Sequence, residues 1–189
     1  AILLAILGRN GWDAYQAGQI EAAREEFAAA ESDDQLEAFA ADRSGTALAG
    51  VALLKVADNA FAEGDYTAAL TGYDAAAEEL GDSVFAGRVQ LGQAMSQLLG
   101  SDAVAGQSAL RDLANYTDAA VAVRSEAVYH LAAVALSDAN ADELDALSTQ
   151  IDSISPSSGW AQRILLMRST LDVASPEAAS ESEIAFESP

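Results

Sequence analysis

Few residues in this chain have the type and spacing needed for chemistry. His130 is the single histidine, and there is no cysteine among the 189 residues. His130 lies in a helical stretch between Tyr129 and Leu131, with no nucleophile motif beside it. The run Asp138-Ala139-Asn140-Ala141-Asp142-Glu143 begins like a calcium loop. It lacks the glycine at the sixth position and the glutamate at the twelfth that such a loop requires, so helix capping explains it better. Neither GxGxxG nor GxxxxGK[ST] occurs, so no phosphate-cradling loop is expected. The 30 carboxylates fall 9 in residues 1–44, 10 in 45–123 and 11 in 124–189, which is the spread of a solvated surface. The expectation is a chain with no catalytic residue, no cofactor and no metal, and not an enzyme.

Bulk composition narrows the remaining classes. With Lys+Arg 9 against Asp+Glu 30, the formal net charge is -21, which repels nucleic acid and anionic membrane surfaces. The hydrophobic fraction of 51% is too high for an acidic disordered protein. Zero cysteine excludes a disulfide scaffold and a thiolate metal site.

The elements that must position any site are helices. Alanine, the strongest helix former, fills 44 positions, and the three prolines stand at 156, 176 and 189. Residues 1–155 are therefore free of proline, and no sustained period-two alternation argues for strands. A self-similar pattern runs through this helical stretch. Leu53, Val56 and Ala57 precede the turn Gly64-Asp65-Tyr66, and Ala69, Tyr73 and Ala76 follow it. Small residues at 57, 69 and 76 let two antiparallel helices approach closely. Gly64 suits the left-handed end of the first helix and Asp65 the cap of the second.

Gly18-Gln19-Ile20, then Ala23, Phe27 and Ala30, repeat that pattern 46 residues earlier, with Gly11 standing where Ala57 does. Residues 32–43 then read as an inserted short helix or a long connection. A third copy has Leu91-Gly92, a turn at Gly100-Ser101-Asp102 and a second helix over 103–115. A fourth pairs Val128, Leu131, Ala132 and Ala135 with Leu144, Leu147, Ile151 and Ile154 across a turn at 137–140. A last helix is expected from Ser157 or Ser158 to about Val173.

Residues 50–80 resemble the tetratricopeptide repeat, a helical hairpin of 34 residues. The resemblance implies an all-α fold: a right-handed superhelical stack of antiparallel hairpins with about nine to ten helices. It also implies a concave groove lined by first-helix positions, which here are Trp12, Tyr15, Val51, Leu54, Asp58, Phe61, Val89, Gln93 and Ser96. Such a groove would take a protein or peptide client without catalysis. The alternative is a structural scaffold or a homo-oligomer.

The ends divide the chain into 1–8, 9–173 and 174–189. Ala1–Leu7 is apolar and too short to span a bilayer, which needs about 20 residues. It reads either as the end of a membrane anchor or as the start of the first repeat helix, and both hold if one helix runs on into the repeat. Trp12-Asp13-Ala14-Tyr15 after that run resembles the junction in membrane-anchored bacterial tetratricopeptide proteins such as the ancillary subunit of the Sec translocon. That resemblance implies the periplasmic side of a cell inner membrane. Without an anchor, the expectation is a soluble cytoplasmic protein. The acidic end reads as a solvated tail, in which Ile184 and Phe186 are the side chains able to dock on a groove.

Overall fold

The computed structural model describes residues 17–174. These form nine α-helices and no strand, so the all-α expectation holds for the described residues. Helix α1 covers 17–29, α2 Asp33–Asp42, α3 Ala47–Glu63, α4 Tyr66–Leu80 and α5 Ala86–Leu99. They are followed by α6 Ala103–Asn115, α7 Val121–Ser137, α8 Ala141–Ile154 and α9 Gly159–Ala174. The chain divides into two compact units, and the division falls inside α5, between Ser96 and Gln97. The segments 1–8 and 175–189, together with Trp12, Tyr15, Ile184 and Phe186, lie outside the described residues.

In the first unit, α3 and α4 form the hairpin expected from the Gly-Asp-Tyr turn. Gly64 has φ 84, a left-handed conformation, and Asp65 caps α4 by accepting the amide of Ala68 at 2.9 Å. Ala57, Ala69 and Ala76 are fully buried between the helices, and Tyr73 fills the space beside them. Glycine sets the closest approaches. A Cβ on Gly72 would stand 2.9 Å from the Ala57 Cβ, one on Gly50 would stand 2.5 Å from Leu80 Cγ, and one on Gly92 would stand 2.4 Å from the Tyr73 ring. Helix α5 is thus held against the α4 tyrosine by its missing side chain.

The insertion over 32–43 is a helix. Ser32 and Gln35 form a capping box at the start of α2, with the Ser32 hydroxyl accepting from the Gln35 amide and the Gln35 side chain accepting from the Ser32 amide. Leu36, Phe39 and Ala40 of α2 form a small core with Ala49 and Ala52 of α3, against which Ala23 and Phe27 of α1 pack.

One expectation is corrected. The repeat pattern places a turn at Gly18-Gln19-Ile20, but α1 runs through all three residues as helix. Gly18 does not take the positive φ of Gly64. The physical reason is the missing cap. Gln19 stands where Asp65 does, and glutamine is a poor N-cap, so no cap fixes a helix start after Gly18.

In the second unit, α7 packs against α6, α8 and α9. Its core joins Leu110 and Leu113 of α6, Val128 and Leu131 of α7, Leu144 and Ile151 of α8, and Ile164 of α9. The α7–α8 turn is built like the Gly64 turn but without glycine. Ala139 takes φ 52, and the Asn140 amide donates back to the Ala135 carbonyl at 2.8 Å. Asn140 then caps α8 by accepting the Glu143 amide, so the acidic run at 138–143 is a helix start. Helix α6 begins after the Asp102 cap at the residue expected for it, and Ser158 accepts the Ala161 amide at the start of α9.

Among the described residues, two buried hydroxyls, on Ser96 and Ser125, have no hydrogen-bond partner, and each serine is 1% exposed. A buried polar group without a partner carries its desolvation cost uncompensated. Ser96→Ala and Ser125→Ala are therefore each expected to raise stability by about 1 kcal/mol, read as a higher urea midpoint at unchanged slope.

Candidate functional site

Four of the positions expected to line a groove lie on α3. Val51, Asp58 and Phe61 lie along it half-buried, while Leu54 is core at 7% exposure. On α5, Gln93 is half-buried, but Val89 and Ser96 are fully buried. Leu54, Val89 and Ser96 thus serve the packing of the first unit and present no surface. Val89 and Leu54 belong to the same core cluster as Tyr73, because α5 closes on α4 at Gly92 and turns those positions inward.

The middle of the stripe is a polar node that ties three helices together. The Tyr73 hydroxyl of α4 donates to Asp58 Oδ1 of α3 at 2.6 Å, and Arg88 Nη2 of α5 donates to the same oxygen at 2.7 Å. A second link joins Gln93 to Asp74 at 2.7 Å. Burial of Tyr73, followed by its bond to the Asp58 carboxylate, pushes the phenol well above its ordinary value of 10. The folded state therefore holds this proton while the unfolded chain releases it near pH 10. The associated stability is intact below that pH and is lost as pH rises above it. In an alkaline absorbance titration at the tyrosinate band, one of the five tyrosines is expected to ionise only with unfolding. Smooth ionisation of all five in the folded chain would contradict the node.

At its N-terminal end the stripe opens into a cleft of about 520 Å³ between α1 and α3. Ile20 and Ala23 of α1 face Ala47, Leu48 and Val51 of α3 across it, and Ile20 is 53% exposed. The polar lining is Gln19, Thr46, Arg24 and Arg43. Arg43 is paired with Glu26 at 2.6 Å and Arg24 with Glu21 at 3.5 Å. Among the described residues, no carboxylate lines the cleft, in a chain where carboxylates outnumber bases 30 to 9. Among the described residues, Val51 is the predicted groove residue that lines the cleft. Ile20 and Ala23 carried a sequence signal, as register equivalents of Tyr66 and Ala69. Arg24, Arg43 and Arg88 carried none, because ion-pair partners depend on tertiary placement.

His130 belongs to the second unit and sits in an aromatic cluster. Its ring lies 5.3 Å from that of Tyr129, which lies 4.7 Å from that of Trp160, and the Arg163 guanidinium stands 4.7 Å over Trp160. Glu126 is 3.8 Å away on the same helix. Burial lowers the His130 pKa from 6.5, and Glu126 opposes that shift. The folded state therefore disfavours the protonated ring, so this contribution to stability is present above pH 6.5 and is lost as pH falls below it. A His130→Gln variant is expected to lose less stability than the wild type between pH 7.5 and pH 5.5. Parallel curves would show that the histidine is not linked to folding. Among the described residues, no group of three His, Asp or Glu side chains could hold a metal ion, and no helix is long and apolar enough to cross a membrane.

The chain matches no family model, no curated protein and no solved structure.

Proposed function

We propose that the chain is a non-catalytic protein-interaction module of the tetratricopeptide type, whose helix pairs continue as a superhelical stack. It would hold a client segment along the exposed stripe of α3. The observation that carries this reading is the α1–α3 cleft: an apolar floor of Ile20, Ala23, Leu48 and Val51, two guanidiniums at its edge and, among the described residues, no carboxylate in its lining. Apolar anchors seated in a pre-formed hollow dominate peptide binding, and charged groups at the rim set its orientation. The stripe continues from Val51 to Asp58 and Phe61, where the Arg88 side chain is 46% exposed.

The test is a displayed peptide library selected on the wild-type chain and re-assayed on Ile20→Asp and Val51→Asp. Selected peptides that lose affinity for both folded variants support the cleft. Equal binding to all three chains would overturn it.

A place at the cell envelope forms part of the proposal and rests on Ala1–Leu7 followed by Trp12 and Tyr15. The sequence encoded upstream of Ala1 tests it. A dozen further apolar residues behind a basic start would support an anchor, and a polar stretch would refute it. A second reading, a homo-oligomeric scaffold, is favoured by Leu165 and Leu166, which are 50% and 67% exposed on α9. A solution mass of twice the monomer that reverts with Leu166→Asp would favour it.

A further inference from the structure

We propose that the outer face of α9 is a docking site for the chain's own acidic end, with Phe186 laid on Leu166 and Glu187 meeting Arg163. Residues 175–189 lie outside the described residues, and it is the described face that calls for them.

Helix α9 packs on α7 and α8 with Ala161 and Ile164 buried. Over residues 161–171 the opposite side presents Gln162, Arg163, Leu165, Leu166, Ser169 and Thr170. Leu165 is 50% exposed and Leu166 67%. The Ser169 and Thr170 hydroxyls both donate to the Leu166 carbonyl, at 2.8 and 2.9 Å, so these polar groups are already bonded within the helix. A leucine pair in that setting gains from an apolar side chain laid over it.

Arg163 adds the selectivity. It stands three residues before Leu166, so the two are neighbours on the helix surface. Its guanidinium carbon lies 4.7 Å from the Trp160 ring centroid and 5.8 Å from that of Tyr129. Stacking orients the guanidinium while leaving its N–H donors open. Among the described residues, Arg24, Arg43, Arg88, Arg111 and Arg168 each pair with a carboxylate, and Arg163 does not. An oriented guanidinium with open donors is matched by a carboxylate.

The occupant therefore needs an apolar side chain beside an acid. Ile184, Phe186 and Glu187 have that order, Glu181 and Glu183 precede them, and no Lys or Arg follows Arg168. The return path is short. From Ala174, where α9 ends, back to Leu166 is about 12 Å at the helical rise per residue. Residues 175–183, which link Ala174 to Ile184, reach up to about 30 Å when extended. Pro176 interrupts helix at the point where the chain must turn. An extended segment with Phe186 over Leu166 carries Glu187 about 3.3 Å farther, toward Arg163 at about 4.5 Å along the helix. The tether raises the local concentration of the tail. A second copy laid face to face on α9 brings Arg163 no carboxylate, since residues 161–171 include none.

The chain has no cysteine, so Ser188→Cys in the full chain carries a single nitroxide label. The readout is paramagnetic broadening of the amide signals of residues 162–170. It is expected to be about three-fold stronger than in the same labelled chain carrying Ile184→Ser and Phe186→Ser, whose tail is only tethered. Leu166→Asp and Arg163→Glu, both at exposed positions, should each reduce it to that level. Broadening that survives the paired serine changes, or either change on α9, overturns the dock. A mixture of isotope-labelled chain without nitroxide and nitroxide-labelled chain of natural isotope content identifies the source of the tail. No broadening in the mixture is expected. Broadening there would mean that another copy supplies the tail, and would overturn docking within one chain.

Discussion

Gly92→Ala is expected to lower the unfolding free energy by about 3 kcal/mol, the upper end of the usual overpacking cost. The added methyl would lie 2.4 Å from both Cε1 and Cζ of Tyr73, far inside van der Waals contact. The ring has no easy escape. Tyr73 is 1% exposed, and its hydroxyl is tied to Asp58 at 2.6 Å. Relief would require α5 to move away from α4, which would also loosen Val89 from the shared core. A helix-propensity argument predicts the opposite sign, since alanine is favoured over glycine inside a helix by about 1 kcal/mol. The experiment therefore separates propensity from packing. Urea unfolding should show a lower midpoint, and Tyr73→Ala combined with Gly92→Ala should cost clearly less than the sum of the two single changes. A neutral or stabilising Gly92→Ala would mean that α5 does not lie against Tyr73.

Asp58→Ala is expected to cost about 2 kcal/mol, because it strands the buried Tyr73 hydroxyl without an acceptor and frees Arg88. The Arg88–Asp58 pair alone cannot account for that amount. Both side chains are more than one-third exposed, and exposed ion pairs contribute at most about 1 kcal/mol. Asp58→Asn keeps an acceptor for the tyrosine and should cost about half as much as the alanine change. Adding Tyr73→Phe to Asp58→Ala removes the stranded hydroxyl, so the double variant should be no less stable than Asp58→Ala alone. If the two changes simply add, the hydroxyl and carboxylate are not coupled and the node is an accident of side-chain placement.

Much of the fold was legible from local signals. Helix ends are written in capping chemistry, which acts over three or four residues. Ser32 with Gln35, Asp65, Asp102 and Asn140 therefore mark the starts of α2, α4, α6 and α8 in the sequence itself. Where a cap was absent, the pattern misled. Gly18 matched Gly64 in type and register, but Gln19 does not cap as Asp65 does, and both residues lie within α1. Ala139 shows the converse, a left-handed turn residue that no glycine announced.

The site was less legible, for a reason of range. A 3.6-residue period shows which side chains share a helix face, and it put Val51, Leu54, Asp58 and Phe61 of α3 on one stripe. It does not show how closely the next helix approaches. Gly92 draws α5 onto Tyr73, and that contact buries Val89 and Leu54 while leaving Val51, Asp58 and Phe61 partly open. The cleft arises in the same way, from the spacing between α1 and α3 and from Arg24 and Arg43 flanking it.

By itself, then, the sequence determined the helical class, the capped helix starts and the absence of recognisable catalytic motifs, because these follow from composition and from interactions a few residues long. Only the tertiary structure decided which stripe positions keep a surface, that Asp58 joins Tyr73 to Arg88, and that an apolar cleft opens beside Val51. Those outcomes depend on contacts between residues 15 to 30 positions apart, whose geometry is set by helix packing.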